Sequence, residues 1–222
     1  MLKRFTIFGE RCSGTNFLEE SILCNFDAEL TWDFGYKHFF GHKEDCELEN
    51  SHDCLFLCIV RDGYSWMNSL RKNPHHLHQN MNKDNSTFLS SQVNSINEDG
   101  NIKEEDMNWK TKEFFKNLYE LRKEKTEYLL DVLPQKVRHC IFFRYEDLCT
   151  KFQFEMNRVV EYLSRQQTPS ILFFHPRWYK KEREDKYVPD KRIFIRKDEY
   201  YHDQGFQIIR DQEKRLGYIH TF

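Results

Sequence analysis

The sequence predicts an α/β fold: a single domain over residues 1–222, built as a parallel β-sheet flanked by helices. Three observations carry that expectation. A short apolar strand, Phe5-Thr6-Ile7-Phe8, runs into a glycine-bounded turn and then a helix. A continuous apolar run, CLFLCIV from Cys54 to Val60, breaks off abruptly into a second turn and helix. No internal repeat or linker divides the chain. Strands apolar on both faces that alternate with helices belong to parallel sheets, because helical crossovers cover both faces.

The elements follow in order. The first strand ends at Gly9, and the first helix spans Asn16 to Cys24, with Phe17, Ser21 and Cys24 at helical spacing. The aromatic segment ELTWDFGYKHFF, Glu29 to Phe40, is expected to be a second strand. CLFLCIV is the third, and RDGYSWMNSL turns from it into a helix. Residues 71–108 form a polar, asparagine-rich insertion almost without periodicity, the character of a functional lid or of partial disorder. A helix is expected from Trp109 to Leu133, with Pro134 ending it. HCIFFRYEDL reads as a further strand, followed by a helix marked by Phe152, Met156, Val159, Val160 and Leu163. A last helix, Gln207 to Leu216, stops at Gly217. A parallel sheet of about four or five strands is expected.

A chain of 222 residues buries a sizeable core, and its 20 phenylalanines make that core aromatic. The 34 basic and 36 acidic side chains leave a net charge of -2, which gives no support to a nucleic-acid-coating or membrane-surface role. Seven scattered cysteines fit reduced thiols in the cytoplasm better than a disulfide framework. No apolar stretch is long enough to span a bilayer, and Met1-Leu2-Lys3-Arg4 leads straight into a strand rather than a signal peptide. The triplet Asn85-Ser86-Thr87 matches a glycosylation acceptor but is short enough to arise by chance.

The chemistry concentrates at the turns. Gly9 to Gly14, GERCSG, has the glycine spacing of a phosphate-binding loop between a strand and a helix. Such a loop converges backbone N–H groups on an oxyanion, and the helix start adds about half a positive charge. A kinase or NTPase also needs a lysine and a hydroxyl after the second glycine, for the β- and γ-phosphates and magnesium. Thr15 and Asn16 occupy those positions, and the cation, Arg11, precedes the glycine.

RCSGTN resembles the 5′-phosphosulfate loop of the sulfotransferases that use 3′-phosphoadenosine 5′-phosphosulfate (PAPS), a basic residue followed by Ser-Gly-Thr-Thr and an apolar helix. The resemblance implies that Arg11, Cys12, Ser13, Gly14, Thr15 and Asn16 hold the 5′ end of that cosubstrate. It also implies a P-loop-like sulfotransferase architecture and chemistry without a metal. The family's second phosphate site is an arginine at a strand end and a serine inside the next helix; Arg61 and Ser69 in LFLCIVRDGYSWMNSL match it. Arginine suits the task because its planar fork binds two phosphate oxygens at once. A rival reading takes Asp62 as the magnesium-binding carboxylate of an NTPase. FFRYEDL resembles the family's aromatic strand ending in Tyr-Glu-Asp-Leu, with Tyr145 in the place beside adenine. The terminal EKRLGY resembles the closing helix of carbohydrate sulfotransferases more weakly.

Cytosolic members of that family place Lys-x-His beside the first loop, which implies roles for Lys37 and His38 in DFGYKHFF: His38 as general base, Lys37 steadying the departing oxygen. Histidine suits the role because its ordinary pKa of about 6.5 leaves it largely neutral near pH 7. Here the two are adjacent, so both can serve only where the strand ends or bends at Tyr36. Cys12 also stands where cytosolic members carry lysine. Glu10, Glu19 and Asp33 are alternative bases.

Other clusters read more simply. His42, Cys46, His52 and Cys54 do not match common zinc spacings, and His75, His76 and His78 read as a solvated stretch. Trp66, Phe39, Phe40 and Trp109 are candidates to line an acceptor pocket or to fill the core. The basic tail from Arg177 to Lys197 also contains Glu182, Glu184 and Asp185; it either closes over the 3′-phosphate or forms a solvated face. The expected function is sulfuryl transfer from PAPS to a hydroxyl of a sugar or small metabolite. The rivals are a P-loop kinase-like phosphotransferase and a non-catalytic nucleotide-binding relative.

Overall fold

The structure is a computed structural model that describes residues 1–38, 48–74, 77, 85–97, 99–103, 107–167, 170–176 and 205–218. Four strands form one parallel sheet: β1 (Arg4–Phe8), β2 (Glu29–Leu30), β3 (Cys54–Val60) and β6 (Cys140–Arg144), in the order β2-β1-β3-β6. The long pairings hold register from Arg4↔Cys54 to Phe8↔Cys58 and from Phe56↔Cys140 to Val60↔Arg144. The expected α/β character with a parallel sheet is therefore present.

Alternation splits the core in two. Phe5, Ile7, Leu55, Leu57, Ile59, Ile141 and Phe143 point to one face, where α1 (Thr15–Leu23), α6 (Tyr145–Thr150) and α7 (Phe152–Val159) cover them. Phe8, Phe56, Cys58 and Val60 point to the other, against Phe34, Tyr128, Leu129 and Leu133. β3 is buried along its whole length, which explains its unbroken apolar sequence. A third cluster joins α2 (Gly63–Lys72), α4 (Leu118–Glu127) and α8 (Phe206–Arg215), with Tyr64 stacked on Phe206 at 4.0 Å.

Three expectations change. The second strand stops at Leu30: a turn closes from Gly35 N–H to the Trp32 carbonyl, Gly35 has φ +103°, and Phe34 folds into the core 5.1 Å from Phe56. The helix placed at Trp109 begins instead at Leu118, where the Asn117 side chain caps it by accepting from the Glu120 N–H. Pro134 does not end that helix. A π-type turn, Tyr128–Val132, shifts the hydrogen-bond register so that Leu133 N–H bonds the Tyr128 carbonyl, and α5 (Leu133–Lys136) carries the proline in its first turn.

The described residues of the polar insertion include regular structure. It contains α3 (Asn85–Ser90) and a hairpin of β4 (Ser95–Ile96) with β5 (Ile102–Lys103). Phe88, Leu89 and Val93 anchor it to the α2–α4 cluster. Its apolar residues are too few and too closely grouped to show a period. Among the described residues no helix is long and apolar enough to cross a membrane.

Candidate functional site

In the order β2-β1-β3-β6 the chain leaves β1 toward β2 and leaves β3 toward β6, in opposite directions along the sheet, so the carboxyl ends of β1 and β3 flank the crevice where open α/β sheets bind ligands. The turn after β1 is tightly folded. Ser13 donates from both its N–H and its Oγ to the Glu10 carbonyl, at 3.1 and 2.6 Å, and Cys12 takes φ +61°. Gly14 has φ +99° and lies against Tyr145, whose Cδ2 is 2.3 Å from where a Cβ would stand. Gly14 is the N-cap of α1 and, having no side chain, supplies no side-chain cap. The first bond into the helix is from Leu18 N–H to the Gly14 carbonyl, so the N–H groups of Thr15, Asn16 and Phe17 have no acceptor within the helix.

Arg61 stands at the end of β3 beside this turn. Its Nη1 donates to the Cys12 carbonyl at 3.2 Å, and its guanidinium lies 4.9 Å over the Tyr145 ring. Among the described residues its buried Nε has no hydrogen-bond partner and no carboxylate forms an ion pair with it. Burial pulls its pKa below the ordinary arginine value, opposed by the charge of Glu146. Ser69, two helical turns into α2, hydrogen-bonds the Cys12 thiol, whose pKa is raised by burial. The helix folds back over its strand, so Arg61 and Ser69 both converge on Cys12.

Tyr145 is fully buried. Gly14 and Arg61 both pack against its ring, and it offers no exposed face to a base in this arrangement.

Lys37 and His38 border the same loop, because the chain has turned at Gly35 and no longer runs as a strand. Gly9 N–H donates to the Lys37 carbonyl at 3.0 Å. Lys37 Nζ reaches Asn16 Oδ1 at 2.6 Å and Glu19 Oε2 at 3.2 Å, while His38 Nδ1 lies 2.7 Å from the Gly9 carbonyl oxygen. A carbonyl only accepts, so Nδ1 carries the proton and Nε2 keeps its lone pair. Burial first, and then the charge of Arg11, hold the imidazole well below its ordinary pKa; the Gly9 bond opposes this, and Lys37 and Lys125 add to it. His38 is therefore neutral and basic at Nε2 near pH 7.

Arg11 takes a different place from the one its sequence position suggested. Its guanidinium is 4 % exposed and is held by Glu10 Oε1 at 3.1 Å and Ser95 Oγ at 2.6 Å. Its carbonyl accepts from Trp66 Nε1 at 2.8 Å. The insertion thus reaches the first loop through Ser95. Glu10 also pairs with Lys125 at 2.7 Å, and Lys125 donates to the His38 carbonyl at 2.7 Å. A cavity with room for about one water lies among Glu10, Ser13, Trp66, Arg122 and Lys125.

Lys125 and Arg122 were not singled out from the sequence. The signal was present: Leu118, Leu121, Arg122, Lys125 and Leu129 fall on one helical face, so two cations sit among its apolar residues. Cations on a buried helix face need partners, and here the partners are Glu10 and Glu213.

With family models, curated proteins and solved structures alike, the chain finds no match. The likeness to sulfotransferases rests on its motifs alone.

The other clusters contribute less. Trp66 is fully buried and Trp109 partly so. Among the described residues no group of three or more His, Cys, Asp or Glu is placed to hold a metal ion. Phe39, Phe40, His42, Cys46, His75, His76, His78 and the tail from Arg177 to Lys197 lie outside the described residues.

Proposed function

We propose that the chain is a PAPS-dependent sulfotransferase with P-loop-like architecture, moving a sulfuryl group to a hydroxyl of a sugar or small metabolite. The observation that carries this reading is Arg61: a partly buried cation without an ion-pair partner among the described residues, next to an uncapped helix start. A desolvated cation is costly unless an anion compensates it. Two anion sites side by side fit one molecule with phosphate at both ends. The loop N–H groups take the 5′-phosphosulfate; Arg61 and Ser69 take the 3′-phosphate.

His38 Nε2 removes the acceptor's proton as the S–O bond forms, and the 5′-phosphate oxygen leaves with its electron pair. The reaction is mostly positioning and charge neutralisation, as in phosphoryl transfer. Lys37 stands at the helix start, able to meet the departing oxygen. The free cysteines among the described residues fit the cytoplasm.

The kinase alternative is weakened at Asp62, whose Oδ1 accepts from Ser65 N–H at 2.9 Å and caps α2 instead of facing a metal. Thermal-shift titration separates the readings. Adenosine 3′,5′-bisphosphate without metal is expected to raise the melting temperature, and ATP with magnesium to leave it unchanged. The reverse result overturns the proposal. Bisphosphate binding with no labelled sulfate transferred to any of a broad acceptor panel identifies a non-catalytic relative.

A further inference from the structure

We infer that Glu213 and Arg122 are positioning residues that aim Arg61 at its phosphate, so that the C-terminal helix completes a site built at the N-terminal end of the chain. This rests on the reading of Arg61 as the second anion site.

The turn after β3 is clamped at three successive residues. The Arg61 carbonyl accepts from Arg122 Nη2 at 2.7 Å, out of α4. The Asp62 N–H donates to Glu146 Oε1 at 3.0 Å, out of α6. The Gly63 N–H donates to Glu213 Oε2 at 3.0 Å, out of α8. Glu213 and Arg122 also hold each other: Arg122 Nε and Nη2 lie 2.7 and 2.5 Å from Glu213 Oε1. The guanidinium rests 5.3 Å over Trp66. A side chain at position 63 would crowd this arrangement, since a Cβ there would stand 3.1 Å from the Glu213 carboxyl carbon.

The side chains of Arg122 and Glu213 are 4 % and 1 % exposed. A pair buried this completely adds little to stability, because desolvation offsets most of the Coulomb gain, and apolar residues of similar volume often serve as well. What apolar residues cannot do is bond a particular carbonyl and a particular N–H. The pair fixes the backbone on both sides of Asp62, and with it the direction in which the Arg61 side chain leaves the sheet. Tyr218 strengthens the link by donating from its hydroxyl to Glu146 Oε2 at 2.6 Å, so the end of the described chain reaches the middle clamp, at Asp62, as well.

The test compares two nucleotides on the full chain by titration calorimetry. Adenosine 3′,5′-bisphosphate engages both anion sites, and adenosine 5′-monophosphate only the loop. Wild type is expected to prefer the bisphosphate by about a hundredfold. The paired replacement Arg122→Met with Glu213→Leu is expected to cut that preference about tenfold. Monophosphate affinity should stay within about a factor of two, because the loop site is untouched. Glu213→Gln keeps an acceptor for Gly63 N–H and is expected to retain most of the preference, losing about threefold. General destabilisation would weaken both nucleotides together and leave their ratio unchanged. An unchanged ratio in the paired variant overturns the inference; should that variant not fold, an unchanged ratio in Glu213→Gln does so. A wild type without any preference for the bisphosphate overturns the reading of Arg61 itself.

Discussion

The turn after β1 and the turn after β3 stand side by side at one end of the sheet, yet they treat their backbone N–H groups in opposite ways. At the second turn the N–H groups of Asp62, Gly63 and Ser65 each have a carboxylate: Glu146, Glu213 and Asp62 itself. At the first, Gly14 leaves the start of α1 without any side-chain cap. Three carboxylates make the second turn hostile to an anion on its backbone, so only the Arg61 side chain is offered there. The first offers backbone: the loop's own cation, Arg11, turns inward to Glu10 and Ser95, and the cation at the helix start, Lys37, comes from the segment after β2. One turn is a cradle, and the other is a rigid mount for a single guanidinium.

The largest effect expected from breaking this contrast comes at Gly14. Gly14→Ala forces φ +99° on a residue with a Cβ and drives that Cβ into the Tyr145 ring. The two costs together come to about 3 kcal/mol of folding stability. Chemical denaturation measures it, and a loss below about 1 kcal/mol would mean the loop is not held open as described.

Arg61→Met probes the mount. Bisphosphate affinity is expected to fall about a hundredfold, roughly 2.7 kcal/mol, through loss of charge-assisted hydrogen bonds. The melting temperature of the unliganded protein should not fall, because methionine fills much of the same volume and a desolvated cation has been removed. A drop in stability with unchanged affinity would make Arg61 a structural residue and erase the distinction between the turns.

How much of this was legible in sequence follows from where the information lies. The register of β1, β3 and β6 is set by apolar patterning, which is local and shows in the letters. The placement of the two turns followed, as did the convergence of Arg61 and Ser69, because a helix returning over its strand has few geometries. Arg11 was misread because a cation beside a glycine loop points outward or inward according to its distant partners. Ser95, far along the chain in the insertion, decided it. Lys125 and Glu213 were missed for the same reason: their meaning depends on which carboxylate or N–H the fold brings opposite them. The early stop of β2 depended on Gly35 and Phe34, where a turn and a core contact outweighed an aromatic stretch that otherwise looks extended.

Asp62 distinguishes a cap from a metal ligand at smaller cost. Asp62→Ala removes the bond to Ser65 N–H and is expected to lower stability by about 1 kcal/mol, while Asp62→Asn keeps an oxygen in place and costs a few tenths at most, about 0.3 kcal/mol. Denaturation midpoints read both. Catalysis should survive Asp62→Asn; abolition of turnover by that variant with stability intact would assign the carboxylate to a cation and restore the kinase alternative.

The last effect is graded rather than fixed: the pH dependence of stability from His38, which belongs to the open side of the contrast. The folded pKa lies well below the ordinary value, first through burial and then through Arg11. Above the unfolded value of about 6.5 both states are neutral there, and His38 contributes no slope. Below it the unfolded chain takes up a proton that the folded chain refuses, so stability falls as pH drops toward the folded pKa and the slope then vanishes. One proton gives at most about 1.4 kcal/mol per pH unit in that window. His38→Gln, which can still donate to the Gly9 carbonyl, should flatten the stability profile below about pH 6.5 by that amount. For the proposed transfer with His38 as base, the acid limb of kcat/KM is expected below the pH of an ordinary histidine, since the imidazole stays deprotonated into acid. An acid limb at the ordinary value, with the stability slope unchanged in His38→Gln, would place the imidazole in solvent and remove it from the loop.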